Sequence, residues 1–557
     1  MIDTAFREPI ERVLGWMQAL RTPQGVMLCP EHRIEHTGKN AGLVVMACEL
    51  VRLGVGDHEE LYTLALEQAL RIAGRLDREG NSTCWTFRPG RHDPYNCSNN
   101  VIDGGACSDA LGTFLETFDE RLSPGVRNIL ERACVLHAQT YLRYAAFDKG
   151  IAAQRAWALT GVAQAWKRSG HGVLEYATLE GVKALFEAMH PDGSYAYHAP
   201  DGGPAHPGAA DVSAFYQSRI AAFSMFSLEA VGQDLRDPRW REPLQKQLAF
   251  LAALYGPDGI KVGSIEAKPW YHGAHYEVAS HPFDVYALAR GARLFEDASL
   301  GRVALAAWRA WVAHLTPEGR PQDHLPGPGR QRSYQCPTFW AGHTMWMARA
   351  LEDLHWLEFE DGPAKASAPE VPRVEGFAQA GLVRLENAHW VAWVRGAHPP
   401  SNWMHGSPVG AGLLRIFDKE RGRDHLVCDS EATRADGHWV GTHGRWPRLR
   451  AAWRKNRHEL RFSWWLARNA FRRAGLLAAL REPLRAVRVG IWGFASNQTR
   501  SAWCVDPALE RMPDGVRLEG RMVWHDGTRA GSAVLVRTYR IDAEHLAVHG
   551  QRVVVAV

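Results

Sequence analysis

DGPAKASAPEVPRVEGFAQAGLVRLENAHWVAWVRG, residues 361–396, holds the transition that decides the fold. Its first part, 361–376, is rich in Pro, Ala and charge and reads as a linker. Its last part, GLVRLENAHWVAWVRG, alternates apolar and polar side chains, the period of a strand with one buried face. Downstream, GLLRIFDKE, HLVCDSE, LRFSWWLAR, VRVGIWGF, GVRLEGRMVWHDG, SAVLVRTYRID and HLAVHGQRVVVAV keep that period or form short apolar runs between turn signals. HDGT and HGQR are tight-turn candidates. These features predict an antiparallel β-sandwich of eight or more strands over 377–557, interrupted by a helix near 468–480.

Upstream the period changes to that of helices. Apolar positions at helical spacing cover 7–20, 39–53, 59–76, 101–118, 125–144, 151–169, 176–189, 213–231, 240–254, 281–295, 300–314 and 338–354, separated by Gly/Pro/Asp loops. No strand pattern interrupts them and no fixed-period repeat is visible, which favours a ring over an open array. Twelve helices make six hairpins, so residues 1–360 are expected to form an (α/α)6-type toroid.

The bulk numbers fit this division. A chain of 557 residues is too long for one core and predicts two or three domains. Hydrophobic residues at 46% and charged ones at 23% are those of a globular protein. A net charge of +4 argues against a nucleic-acid partner, although the stretch 445–485 is locally Arg-rich. The cysteines are dispersed with no C-x-x-C pair, which predicts reduced thiols. No window approaches 18 uninterrupted apolar residues, and MIDTAFREPIERVLGW has no apolar leader core. The expectation is a cytoplasmic protein without a membrane partner, or a periplasmic one if the N-terminus is incomplete.

Several stretches carry groups suited to chemistry. In MHPDGSYAYHAPDGGPAHPGAADVSAFYQSR (189–219) a turn at Asp192-Gly193 precedes a helix with Ser213 as expected N-cap. Tyr216 and Arg219 then lie near the first turn. A tyrosine beside an arginine at a helix N-terminus is suited to proton transfer; the alternative is that Tyr216 packs with its hydroxyl in water. Asn99, Asn100 and Asp103 crowd another helix start, either as caps or as amides that bind a carboxylate. Arg88, Arg91, His92 and Tyr95 in the loop before it make an anion-facing wall. His272, His275, Tyr276, Glu277 and His281 (267–291) lack metal-ligand spacing and suit sugar contacts better. Tyr334, Trp340 and His343 repeat that flavour. With 22 Trp in the chain, Trp85, Trp270, Trp340 and Trp403 stand beside loop polar groups, where flat faces fit sugar rings.

Taken together, toroid, linker and β-sandwich resemble the heparinase II/III-like polysaccharide lyases and their alginate and oligo-alginate lyase relatives, over nearly the whole chain. In that family the toroid is incomplete. PDGSYAYH…FYQSRIAAFSMFSLEAV is similar to the family's stretch before its catalytic tyrosine, and NWMHGSPVGAGLLRIFD to its β-domain histidine motif. IAAQRAWALTGVAQAW stands where the family carries an Asn-His or similar pair, here Gln154-Arg155. The resemblance implies a lyase that cleaves a uronic-acid-containing polysaccharide or oligosaccharide by β-elimination. It implies Tyr216 and His405 as catalytic acid and base, and Gln154, Arg155, Asn99 or Asn100 as the groups that neutralise the uronate. Arg88, Tyr195, His198, Arg219, Trp270, His275, Trp340 and Trp403 would bind substrate. No cofactor is expected. Relatives often hold a structural zinc, but Ser407 replaces one histidine ligand, and Asp429 is the match to another. Two alternatives stand beside the lyase: a glycoside hydrolase using paired carboxylates from Asp103, Asp109, Asp211 and Glu277, and a non-catalytic carbohydrate-binding or exopolysaccharide-biosynthesis accessory protein.

Overall fold

The structure, a computed structural model, describes residues 2–30, 35, 37–75, 98–198, 212, 214–262, 276–277, 280–322, 324–325, 331–332, 337–359, 372–396, 412–427, 468, 471, 476–477, 480, 502–524 and 529–554. Helices come first: α1 (Thr4–Ala19), α2 (Thr37–Arg52), α3 (His58–Ala73), α4 (Ser98–Phe118), α5 (Pro124–His137), α6 (Arg143–Asp148), α7 (Ala152–Ser169), α8 (Gly172–Glu187), α9 (Ala214–Ala230), α10 (Pro238–Ala253), α11 (His281–Phe295), α12 (Ala298–Val312), α13 (Pro337–His343), α14 (Met345–Arg349) and α15 (Leu351–Phe359). A single turn of π-helix, Ala138–Leu142, joins α5 to α6.

Six hairpins close into a ring. Inner helices α2, α4, α7, α9 and α11 each pack on the next, and the α13–α14 pair completes the circuit against α2. Helices α3, α5, α8, α10, α12 and the α1/α15 pair lie outside them. Local chemistry fixes the short turns at one end. Asp57, Ser123, Asp237 and Asp297 cap the outer helices α3, α5, α10 and α12, with Pro in the first turn of α5 and α10. Gly170, at φ 66°, stops α7 in the left-handed conformation that favours glycine. Most of the long connections therefore gather at the opposite end, where the inner helices start: 74–97, 188–213, 254–280 and 313–336. Within two of them run two-residue ladders, β1 (Lys261–Val262) with β2 (Tyr276–Glu277) and β3 (His324–Leu325) with β4 (Gln331–Arg332).

The β-region holds two antiparallel meanders. One is β5 (Arg373–Phe377), β6 (Leu382–Glu386), β7 (Trp390–Arg395), β8 (Gly412–Asp418) and β9 (Arg423–Val427); the other is β10 (Ala502–Met512), β11 (Gly515–Trp524), β12 (Arg529–Ile541) and β13 (Leu546–Val554). Val383, Leu385, Ala392, Val394, Leu413 and Ile416 of the first pack on Val516, Leu518, Tyr539 and Ile541 of the second, so the sheets face each other as a sandwich. The toroid followed by an antiparallel β-sandwich is thus present as expected.

Several details differ from the sequence reading. Strand β5 begins inside the segment read as linker. HGQR (549–552) is not a turn: His549 and Gly550 pair with Thr538 and Arg537 inside β13. The helix expected at 125–144 is divided by the π turn, and that expected at 338–354 is broken into α13, α14 and α15. The two halves of the chain are pinned together. Trp393 Nε1 donates to the Ala253 carbonyl at 2.8 Å, Arg415 donates to the Ile260 carbonyl at 3.0 Å, and Asp192 Oδ2 accepts the backbone N–H groups of Gln379 and Ala380 at 2.8 and 3.0 Å.

Candidate active site

Inner helices of a ring are covered on all sides and read as apolar, so each polar side chain near their starts needs a reason. Near the starts of α2, α4, α9 and α11, and along the short α13, stand Lys39, Asp103, Tyr216, Arg219, Asp284, Trp340 and His343. Lys39 Nζ lies 3.2 Å from His343 Nε2 and 3.8 Å from the Phe339 ring centroid, across the seam where the ring closes. Asp103 shares this centre: Gly38 on α2 packs directly against its carboxylate. Burial raises the Asp103 carboxyl to about 6, with the Lys39 ammonium pulling it back. Among the described residues no hydrogen bond reaches its oxygens, unlike those of Asp109.

Around this centre stands an aromatic wall. Tyr216 is half-buried, its ring set edge-on to Tyr197 (centroids 5.0 Å apart) and to Phe215 (5.2 Å). Phe215 and Trp340 pack together, and Trp340 stacks on His314 at 5.9 Å with 17° between planes. The Arg219 guanidinium is buried over Phe215 (3.6 Å) and Phe283 (4.6 Å), and it donates to the Phe215 carbonyl one turn back. A corner beside the wall joins two more of the expected residues. Ile151 bridges His198 through the backbone, the His198 ring lies against Gly150, and Arg155 Nε donates to the Lys149 carbonyl at 2.6 Å. Gln154 is in the same turn, and Lys149 Nζ lies 5.6 Å from the Tyr141 ring.

The expected residues therefore divide. Tyr216, Arg219, Trp340, His198, Gln154 and Arg155 all belong to the end of the ring where the inner helices start. Trp340 is buried rather than open, because Phe215 and His314 cover its faces. Tyr195 corrects its expected place among substrate-binding groups. Its backbone N–H and carbonyl are tied to the Gln217 side chain at 2.9 and 3.0 Å, and its hydroxyl accepts a hydrogen bond from Gln247 on the outer helix α10. Burial raises its phenol far above the ordinary range. It is a core residue. Asn99 and Asn100 lie in the first turn of α4, and nothing is described of their side chains. His405, Arg88, Trp270, His275, Trp403, Ser213, Ser407 and Asp429 lie outside the described residues. Lys39 and Lys149 were not singled out from sequence; a lysine at the second position of the apolar run GKNAGLVVMACELV was the available signal.

Below this centre, Asp109 is held by both terminal nitrogens of Arg349, at 2.7 and 2.9 Å, and Arg349 also donates to the Thr113 hydroxyl at 3.0 Å. That geometry makes it a structural anion. Among the described residues no group of three His, Cys, Asp or Glu side chains is arranged to hold a metal ion.

No protein-family model matches the chain, and no curated protein matches it. Among solved structures it is similar to a glycosyl hydrolase family 88 protein from Bacteroides vulgatus (13% identity, covering 64% of this chain and 100% of the other, TM-score 0.46). It is similar also to a polysaccharide lyase (15%, 64% and 98%, 0.47) and to a sugar epimerase from a ruminal bacterium (11%, 63% and 98%, 0.47). Their chemistries differ, and likeness at this level assigns none of them to this chain.

Proposed function

We propose that the protein is a carbohydrate-active enzyme whose site is the end of the ring where the inner helices start, and that it cleaves a uronic-acid-containing polysaccharide or oligosaccharide by β-elimination. The observation that carries this reading is the position of Tyr216, half-buried against Tyr197 on the first turn of α9, with Arg219 one turn on. The chemistry needs three things: a neutralised C6 carboxylate, a base for the C5 proton and an acid for the departing O4. Tyr216 would transfer the proton at C5 or O4. Arg155, with Gln154 and His198 beside it, would face the uronate carboxylate. His405 would be the second proton-transfer group, as the likeness to the heparinase II/III-like lyases implies. Elimination leaves a 4,5-unsaturated sugar that absorbs in the ultraviolet. Incubation with a panel of uronate polymers should produce that absorbance, and Tyr216→Phe should abolish it while the fold persists; retained elimination would remove Tyr216 from the mechanism.

A glycoside hydrolase is the second reading, and Asp103 favours it. A buried carboxyl raised to about 6 beside the buried Lys39 has the character of a general acid. Its products would carry new reducing ends without ultraviolet absorbance, so the same incubation separates the two readings.

A further inference from the structure

Between 214 and 225 on α9, Tyr216 alone is half-buried, and every other residue is buried. At about 100° per residue, Ala214 and Ser218 share one face of the helix and Tyr216 lies on the opposite one. A single cation holds that rear face. Lys261 Nζ donates to the Ala214 carbonyl at 2.6 Å and to Ser218 Oγ at 2.7 Å, two residues to either side of Tyr216. Its other partners, Asp284 Oδ2 at 2.9 Å and Ser280 Oγ at 3.3 Å, stand at the start of α11.

The anchor is itself fixed. The Lys261 backbone pairs with Glu277 in the β1–β2 ladder and bridges Tyr255, whose hydroxyl also donates to Asp284. Stability gives little reason for a charge at this place. Neither Lys261 nor Asp284 has any exposure, so both lose their hydration, and apolar residues of similar volume often serve a fold as well. The ammonium also stands at the N-terminal end of α9, where the helix dipole is positive. Asp284 Oδ1 is buried with no hydrogen-bond partner among the described residues, so the pair is not optimised for its own sake. What a hydrogen-bonded charge supplies and apolar packing does not is direction: it fixes the rotation of the first turn of α9, and with it the place of the phenol.

We infer that Lys261 is a positioning residue for Tyr216: clamped between the starts of α9 and α11, it holds the turn that presents the phenol. The inference rests on the proton-transfer role proposed above for Tyr216. Lys261 touches no substrate and acts through the helix. The same clamp steadies the first turn of α11, where the Phe283 ring lies 4.6 Å from the Arg219 guanidinium, so both polar groups at the start of α9 depend on it.

The test measures kcat and KM of the full chain for elimination on the uronate polymer that the parent cleaves best. Lys261→Met combined with Asp284→Leu removes both charges together and keeps the volume filled, so the fold survives where a lone lysine substitution strands an anion. In this double variant kcat should fall by about 10- to 100-fold with KM within about threefold of the parent, the signature of a displaced proton-transfer group rather than of lost binding. Ser218→Ala removes one arm of the clamp and leaves the charges, and should lower kcat by about threefold or more. Asp57→Ala, which loses the cap of the outer helix α3, controls for general softening and should leave kcat unchanged. Parental kcat in the folded double variant would overturn the inference, and so would an equal loss in Asp57→Ala or a rise in KM with kcat held. If the double variant does not fold, Ser218→Ala decides, and parental kcat there overturns the inference. A parent that eliminates on no polymer removes the proposed role of Tyr216 and this inference with it, whereas a cleaving parent with an indifferent double variant removes this inference alone.

Discussion

Lys261 Nζ lies 2.9 Å from Asp284 Oδ2, and neither side chain has any exposure to solvent. The same ammonium donates to the Ala214 carbonyl at 2.6 Å and to Ser218 Oγ at 2.7 Å, both in the first two turns of α9, and Tyr255 donates its hydroxyl to the same Asp284 oxygen. The pair thus joins α11, the loop before it and the turn that carries Tyr216. Removing one partner strands a buried charge. Lys261→Met should lower stability by about 3–5 kcal/mol in denaturant unfolding, and adding Asp284→Leu should recover part of that loss.

Gly42 and Gly342 bring α2 and α13 together backbone to backbone: a Cβ on Gly42 would overlap the Gly342 carbonyl oxygen. Gly42→Ala should therefore cost about 1–3 kcal/mol, despite alanine's better helix propensity. A more stable variant in a thermal melt would show that the seam has slack.

Asp103 sets a pH dependence of opposite sign to that of an ion-paired carboxylate. Its folded carboxyl titrates near 6, above the value of 3.8 for the free side chain. Between those values the folded protein holds a proton that the unfolded chain has released. This contribution favours the fold below about 4 and is lost as pH rises through 6, amounting to about 2–3 kcal/mol. Asp103→Asn should flatten the stability curve across that window, measured by denaturant midpoints at several pH values.

Asp192 ties the toroid to the sandwich with one carboxylate. Oδ1 accepts from Ser194, at 3.1 Å from its N–H and 2.7 Å from its hydroxyl, while Oδ2 takes the Gln379 and Ala380 N–H groups. Asp192→Ala should lose about 1–3 kcal/mol. Limited proteolysis should then cut between the two halves sooner; an unchanged rate would mean that Trp393 and Arg415 suffice.

Periodicity made the fold legible. Residues 281–295 were bounded correctly because an apolar face begins at a Ser-His-Pro start and ends before Glu296, the one non-glycine residue with positive φ among those described. Strand β10 was missed because AWCVDPALERM carries Pro507 and mixed polarity, and only its pairing with β11 makes it a strand. The site was less legible for a related reason. Lys39 and His343 meet across 304 positions of sequence, so neither signals the other. Tyr195 shows the converse: set in a loop rich in Tyr and His, it looks like a binding residue until Gln217 and Gln247 are seen to hold it.

The seam between α2 and the α13–α14 pair also sets an order in time. Synthesis runs from the N-terminus, so α2 emerges early and must wait until residue 349 before its second neighbour exists. Until then the side of α2 that carries Lys39 and Gly42, which meets His343 and Gly342 in the finished ring, stays open. A nascent chain stalled after α12 would carry five of the six inner walls and be a natural client for a chaperone that recognises exposed apolar helices. The last short helices of the toroid are thus the latch of its folding, and lesions there should reduce yield in the cell more than they reduce the stability of molecules that do close.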